Sequence, residues 1–295
     1  MTWSIPNQRD VGYPAPESLV ARREGAASMQ ANQPVAEGAT ATDATVGGVD
    51  CLVIQPDAPT STILYLHGGG YRLGTPLSWV SFASRLAVAA NAKVVVADYR
   101  LAPEHPFPAA LHDATAVFDA VRGDGGPIIV MGDSAGGGLA ASLLVACLTS
   151  DIAVPDALVV ISPWIDLTVT NETYASRAES DQLFPRASAD EAAEAYLQGA
   201  DAKDPFVSPL FAELAGFPPS LVFAGGFETL LGDGLAFTTR LAEAGVSVTG
   251  HFPAGMQHVW PTLFPDLPES ADAFAAMVQF VGAAVGAHGP GAEQG

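Results

Sequence analysis

The chain is poor in positive charge. It carries 12 Lys and Arg against 32 Asp and Glu, a net charge of -20 over 295 residues, and its only lysines are Lys93 and Lys203. A surface this acidic repels phosphate backbones and anionic membrane surfaces, which excludes nucleic acid as a partner and disfavours a membrane one. Salt adaptation produces such an excess, and so does a composition rich in alanine and glycine. Cysteine is equally scarce. Cys51 and Cys147 stand in unrelated contexts, which leaves no disulfide framework and no cysteine-based metal site. The opening "MTWSIPNQRD" lacks the apolar core of a secretory signal, and no apolar run approaches the ~18 residues of a membrane span. A soluble, cytoplasmic chain is therefore expected. Apolar residues are plentiful at 49%, enough for one large core with or without a lid.

From about residue 40, short apolar runs alternate with amphipathic stretches. "ATVGGVDCLVIQP" reads as a hairpin, and "STILYL", "AKVVVADY", "PIIVMG", "DALVVIS", "SLVFAGG" and "VSVTGHF" read as strands. Between and after them, "LSWVSFASRLAVAAN", "PAALHDATAVFDAVR", "GGLAASLLVACL", "DGLAFTTRLAEAG" and "SADAFAAMVQFVGAAVG" have helical spacing. Near-continuous apolar strands separated by helices predict an α/β fold, a mostly parallel sheet covered on both faces. Two segments interrupt the alternation. One lies in the first 40 residues, around "PESLVARREGAASMQ". The other is 169–205, where a capping box from Ser188 to Glu191 is expected to open "ADEAAEAYLQG". The division that follows is a cap segment at 1–40, core at 41–168, a second cap segment at 169–205, core again at 206–287 and a frayed tail at 288–295.

Two glycine loops bear on function. In "LYLHGGGYRLG" a strand stops at His67 and runs into Gly68, Gly69 and Gly70. A dinucleotide pyrophosphate could sit on such a loop, but the next strand-end acid, Asp98, lies 28 residues beyond Gly70 instead of the usual ~20. The second loop, "GDSAG", places Gly132-Asp133-Ser134-Ala135-Gly136 between a strand and a helix. This is G-x-S-x-G in the context that a nucleophile elbow requires. The elbow lifts Ser134 above the strand ends at a helix N-terminus, where free N–H groups favour developing negative charge. The residue after the nucleophile, Ala135, supplies one oxyanion donor. The histidine loop then reads as the other half of an oxyanion hole.

Together "HGGGYRLG", "ADYRLAPEHPFPAAL", "GDSAGGG" and "SPWIDLT" resemble the hormone-sensitive-lipase-like branch of the α/β-hydrolases, closest to bacterial short-chain esterases and monoterpene lactone hydrolases. The resemblance runs from about residue 50 to 270. It implies an α/β-hydrolase core of about eight strands with a small helical cap, oxyanion N–H groups on Gly69 and Gly70, and a structural role for His67. Asp98 and Glu104 match family positions that brace the core.

A serine needs a general base, and chain order in this fold is serine, acid, histidine. Of the six histidines, His67, His105 and His112 come too early and His288 sits in the tail. His251 ends a strand, where packing is its expected role. His258, in the loop "PAGMQHVWP", is the candidate base. The acid should leave the strand "SLVFAGG". Glu228 follows that strand directly, and Asp233, five residues on, competes with it but is expected to cap the next helix. Gly232 stands where the family often carries an acid. Asp166 belongs to an earlier loop. Tyr71, Phe184, Tyr196, Phe206 and Trp260 are candidates for the substrate wall. The expected substrate is a small ester or lactone. Amide or carbamate hydrolysis on the same triad remains an alternative, whereas a ligand receptor on this fold would lack the histidine. The chemistry calls for no metal or cofactor, and a homodimer is compatible with the sequence.

Overall fold

The computed structural model describes residues 2–7, 12–30 and 33–287. The tail expected at 288–295, with His288, lies outside the described residues. In chain order the elements are α1 (Glu17–Gln30), β1 (Thr40–Val46), β2 (Val49–Gln55), β3 (Ser61–Leu66), α2 (Val80–Ala90), β4 (Ala92–Ala97), α3 (Ala109–Arg122), β5 (Ile128–Asp133), α4 (Ala135–Thr149), β6 (Ala157–Ile161), α5 (Thr173–Ser176), α6 (Arg186–Leu197), β7 (Ser220–Phe223), α7 (Leu231–Glu243), β8 (Val248–His251), α8 (Trp260–Leu263) and α9 (Pro268–Ala287).

The strands form one eight-stranded sheet in the order β1-β2-β4-β3-β5-β6-β7-β8. β1 and β2 make the expected hairpin, turning on Gly47 and Gly48, both with positive φ, as a two-residue hairpin turn of this hand demands. β2 also runs antiparallel to β4, and every later pairing is parallel. β3, β5 and β6 are buried along their whole length, which is why they read as unbroken apolar runs. Their side chains alternate between two cores. Leu64 and Leu66 of β3 point to the side of α3, α4 and α7. Ile63 and Tyr65 point to the side of α2 and α9.

Three local readings change. The capping box from Ser188 to Glu191 does not form, because α6 begins earlier, at Arg186 behind Pro185. Proline has no N–H to leave unsatisfied there, and both box residues instead meet Arg72. The stretch "LSWVSFASRLAVAAN" is divided, its first residues forming a 3₁₀ turn over Pro76–Trp79 ahead of α2. The statement that no apolar run approaches membrane length also fails for α9, whose 20 residues are long and apolar enough by composition to span a bilayer. Its alanines, valines, phenylalanines and methionine raise the hydropathy, but Ala273, Met277 and Val281 face the core.

The two interrupting segments meet over the loop that follows β3. Arg23 of α1 donates to the carbonyls of Arg72 (2.8 Å) and Ala102 (2.8 Å) and makes a two-pronged pair with Glu104 (2.6 and 3.0 Å). The Arg72 side chain in turn reaches α6. Arg23→Met removes all four bonds to α1, so thermolysin should cut within residues 12–30 markedly faster. The melting temperature should fall by no more than a few degrees, because the sheet is untouched.

Candidate active site

The site is assembled at the carboxyl ends of β3, β5, β7 and β8. β5 passes into α4 through Ser134, whose φ of 52° and ψ of -122° are a conformation that non-glycine residues rarely adopt. Its surroundings hold it there. Ser134 N donates to Ile161 O (2.8 Å), and Ser134 O accepts from Trp164 N (2.9 Å) and Gly138 N (3.1 Å). The turn runs so close to β3 that a Cβ on Gly136 would lie 2.0 Å from the Leu66 carbonyl oxygen, and one on Gly132 would lie 2.3 Å from that of Gly136. Both glycines of the elbow are therefore obligatory.

Ser134, His258 and Glu228, far apart in sequence, come together in a line. His258 Nε2 lies 2.9 Å from Ser134 Oγ, and His258 Nδ1 lies 2.6 Å from Glu228 Oε2. Glu228 Oε1 accepts from Gly225 N. Glu228 is fully buried, and Ser134 and His258 are 4% and 6% exposed. Burial alone would pull the His258 imidazole down, but the hydrogen bond and charge of Glu228 outweigh it and carry the group above its ordinary 6.5. Burial pushes the Glu228 carboxyl up, against the opposing pull of His258. The other described histidines stand elsewhere. His105 is exposed, His112 is bonded to Pro6 O, and His251 stacks on Phe223.

Beside Ser134 runs the loop from His67 to Gly74. Gly69 has φ 118°, and a Cβ there would meet Leu73 O at 2.1 Å. Gly70 has φ 61° and packs against Ala192 of α6. Among the described residues, the N–H groups of Gly69, Gly70 and Ala135 have no acceptor. His67 is buried between Trp79 and Tyr99, with Nδ1 2.8 Å from Gly68 O. Burial draws it down to about 4, so it stays neutral and shapes the loop. Sequence reasoning passed over Asp133. Its buried carboxylate accepts from Gly68 N (3.0 Å) and Tyr65 Oη (2.9 Å) and ties the glycine loop to the elbow. Burial lifts this acid to about 7. The available signal was a charged residue at the end of an otherwise apolar buried strand.

Asp233 does not cap its helix. It is fully buried, and its Oδ2 accepts from the N–H groups of Ile165 and Asp166, both at 3.0 Å, which anchors the "SPWIDLT" loop under the site. Gly232 has a reason too, since a Cβ there would strike the Asn171 side chain. Asp98 is exposed, and among the described residues its side chain makes no hydrogen bond or ion pair; the ion pair near it is Arg100 with Asp113 at 2.6 Å, and Glu104 holds Arg23. Of the candidate wall residues, Phe184 stacks on the His258 ring with centroids 5.4 Å apart. Tyr71 and Tyr196 are buried face to face at 3.8 Å and brace the glycine loop against α6. Phe206 packs half-buried against the same core. Trp260 is not a wall residue. It follows His258 into the opposite core, beside Phe223, because Val259 turns the chain with φ 55°. Among the described residues no group of three or more His, Cys, Asp or Glu could hold a metal ion.

A serine elbow at the strand tips of an eight-stranded, mostly parallel sheet defines an α/β hydrolase. The family model described as alpha/beta hydrolase fold matches residues 63–262. An acetyl-hydrolase of Streptomyces hygroscopicus is 39% identical over 246 residues, 82% of each chain. The crystal structure of an esterase from the bacterial hormone-sensitive lipase family superposes with a TM-score of 0.87 at 36% identity, covering 92% of this chain and 93% of that one. That of the esterase EstE5, soaked with p-nitrophenyl butyrate, gives 0.86 at 35%, covering 93% of both. The chain belongs to the α/β-hydrolase family, in its hormone-sensitive-lipase-like group of esterases.

The buried Asp233 yields a stability prediction. Burial raises it from 3.8 to about 8. Protonation therefore favours the folded state, and this contribution is present in full below about pH 4 and lost as pH rises through about 8. Asp233→Asn, which cannot ionise and keeps an acceptor for the two N–H groups, should flatten the decline of melting temperature between pH 6 and 9. Asp233→Ala leaves both donors unpaired and should cost about 2–6 kcal/mol in denaturant unfolding.

Proposed function

We propose that the chain hydrolyses carboxylic esters of short acyl groups, or lactones, with Ser134 as nucleophile and through an acyl-enzyme. The single observation that carries this reading is the line of hydrogen bonds from Ser134 Oγ to His258 to Glu228. His258 takes the Ser134 proton as the oxygen attacks the ester carbonyl, and passes it to the departing alkoxide. Glu228 holds the imidazole with Nδ1 protonated and stabilises the imidazolium. The unengaged N–H groups of Gly69, Gly70 and Ala135 receive the oxyanion. A water molecule, deprotonated by the same histidine, then frees the acid and restores Ser134. The small acyl size is supported by Phe184 lying over His258 and by the stacked Tyr71 and Tyr196 behind the loop, which leave Ser134 almost covered.

A serine-reactive fluorophosphonate tests the reading by intact mass. One equivalent should add to the wild-type chain and none to Ser134→Ala, which should also lose about 10⁶-fold in kcat on a butyrate ester. Labelling of the variant, or retention of a tenth of the activity, contradicts the assignment. The upward displacement of His258 sets the pH dependence. The base works only when neutral, so kcat/KM should fall on the acid side with a midpoint above 6.5. Glu228→Gln removes the charge that raises it and should bring that midpoint down.

A further inference from the structure

A crevice of about 310 Å³ opens between α1 and α6, lined by Tyr13, Ser18 and Arg22 on one side, Glu191 and Glu194 on the other, and Arg72 between them. Arg72 is the second residue after Gly70, and its side chain is only 9% exposed. A guanidinium has five N–H donors. Here Nη1 reaches Glu191 at 3.4 Å and Nη2 reaches Ser188 O at 3.2 Å, both longer than the 2.7–2.9 Å of good charge-assisted bonds. Nε is buried with no partner among the described residues. The latch to α1 does not need this side chain, because Arg23 binds the Arg72 carbonyl. A buried cation with its donors half used is costly in a fold that could have filled the space with an apolar residue. In a chain of net charge -20, a second cation, Arg22, faces the same opening.

We propose that this crevice is a binding site for a small carboxylate, received by the guanidinium of Arg72. The two Nη groups, now spent on long contacts to Glu191 and Ser188 O, suit a carboxylate in two-pronged fashion. Glu191 is the native placeholder. Its side chain is 67% exposed, and an exposed partner on a flexible stem is held weakly and gives way to a better-placed anion. Arg22 adds a second positive charge to the lining, against the carboxylate of Glu194, and Tyr13 and Ser18 contribute hydroxyls to it. The carboxylate can belong to the ester being hydrolysed or to a separate small acid. The first case rests on the proposed hydrolysis, and the binding site itself does not.

Succinate titrated calorimetrically into the full chain at low salt is the test, with succinamide as the neutral control. Binding should be seen for succinate alone. Arg72→Met should weaken it at least about tenfold, and Glu191→Gln, which removes the placeholder charge, should tighten it about threefold or more. Failure of Glu191→Gln to tighten succinate overturns the proposal, whatever the Arg72 variant does and whether or not that variant folds. Equal binding of succinamide overturns it as well. The ratio of kcat/KM for monoethyl succinate over ethyl butyrate separates the two sources. A ratio that rises in Glu191→Gln assigns the carboxylate to the substrate. An unchanged ratio with tightened succinate assigns it to a separate acid. If neither ester turns over, the hydrolase reading fails while the succinate titration still stands.

Discussion

The carboxyl group of Asp133 is the joint on which the site depends. Two loops must meet at sub-ångström tolerance, one bearing Ser134 and the other Gly69 and Gly70, and they leave adjacent strands without touching through regular ladder bonds beyond Leu66. Asp133 closes that gap by accepting from Gly68 N while Tyr65 steadies it from the opposite core. A buried acid is expensive, and this one displaces nothing apolar that could do the same work. Only a group with several lone pairs binds a backbone N–H and a phenol at once. Asp233 repeats the device on the other side of Ser134, binding two N–H groups of the loop after β6. The floor of the site is thus pinned by two buried carboxyl groups on either side of the nucleophile.

Around that floor the sheet supplies order and the interrupting segments supply enclosure. Parallel strands bring every carboxyl end to one edge, so residues of four separate loops converge without any of the loops being long. Ser134 and Val259 are two of eight described non-glycine residues with positive φ, and they are the nucleophile itself and the residue after the base. Each is held by a backbone bond to the β6 end or the loop after it, Ser134 N to Ile161 O and Val259 N to Ser162 Oγ.

The sheet, its helices and the trio Ser134, Glu228 and His258 could be read from sequence because each leaves a local mark. Buried parallel strands are unbroken apolar runs, the elbow has its glycines, and the acid and base follow the last two strands in fixed order. What escaped reading depends on remote partners. Asp233 looked like a helix cap because an acid in a first turn usually is one, but the N–H groups it serves are 67 and 68 residues away. Trp260 was a candidate for the substrate wall, yet one positive φ at Val259 sends it into the other core. Ser188 and Glu191 satisfied a capping pattern, but Pro185 had already opened the helix. In each case sequence fixed the chemistry of the residue and tertiary structure chose its direction.

The grip of Arg23 has a consequence for the order of assembly. Its acceptors lie 49, 79 and 81 residues further along the chain. As the polypeptide emerges from the ribosome, α1 appears before β3, β4 and the turn after β4, and Arg23 has none of these acceptors until they are in place. A 14-residue helix is marginal on its own in water. The segment carrying α1 therefore settles after the later strands it grips, and the crevice between α1 and α6 takes shape only then.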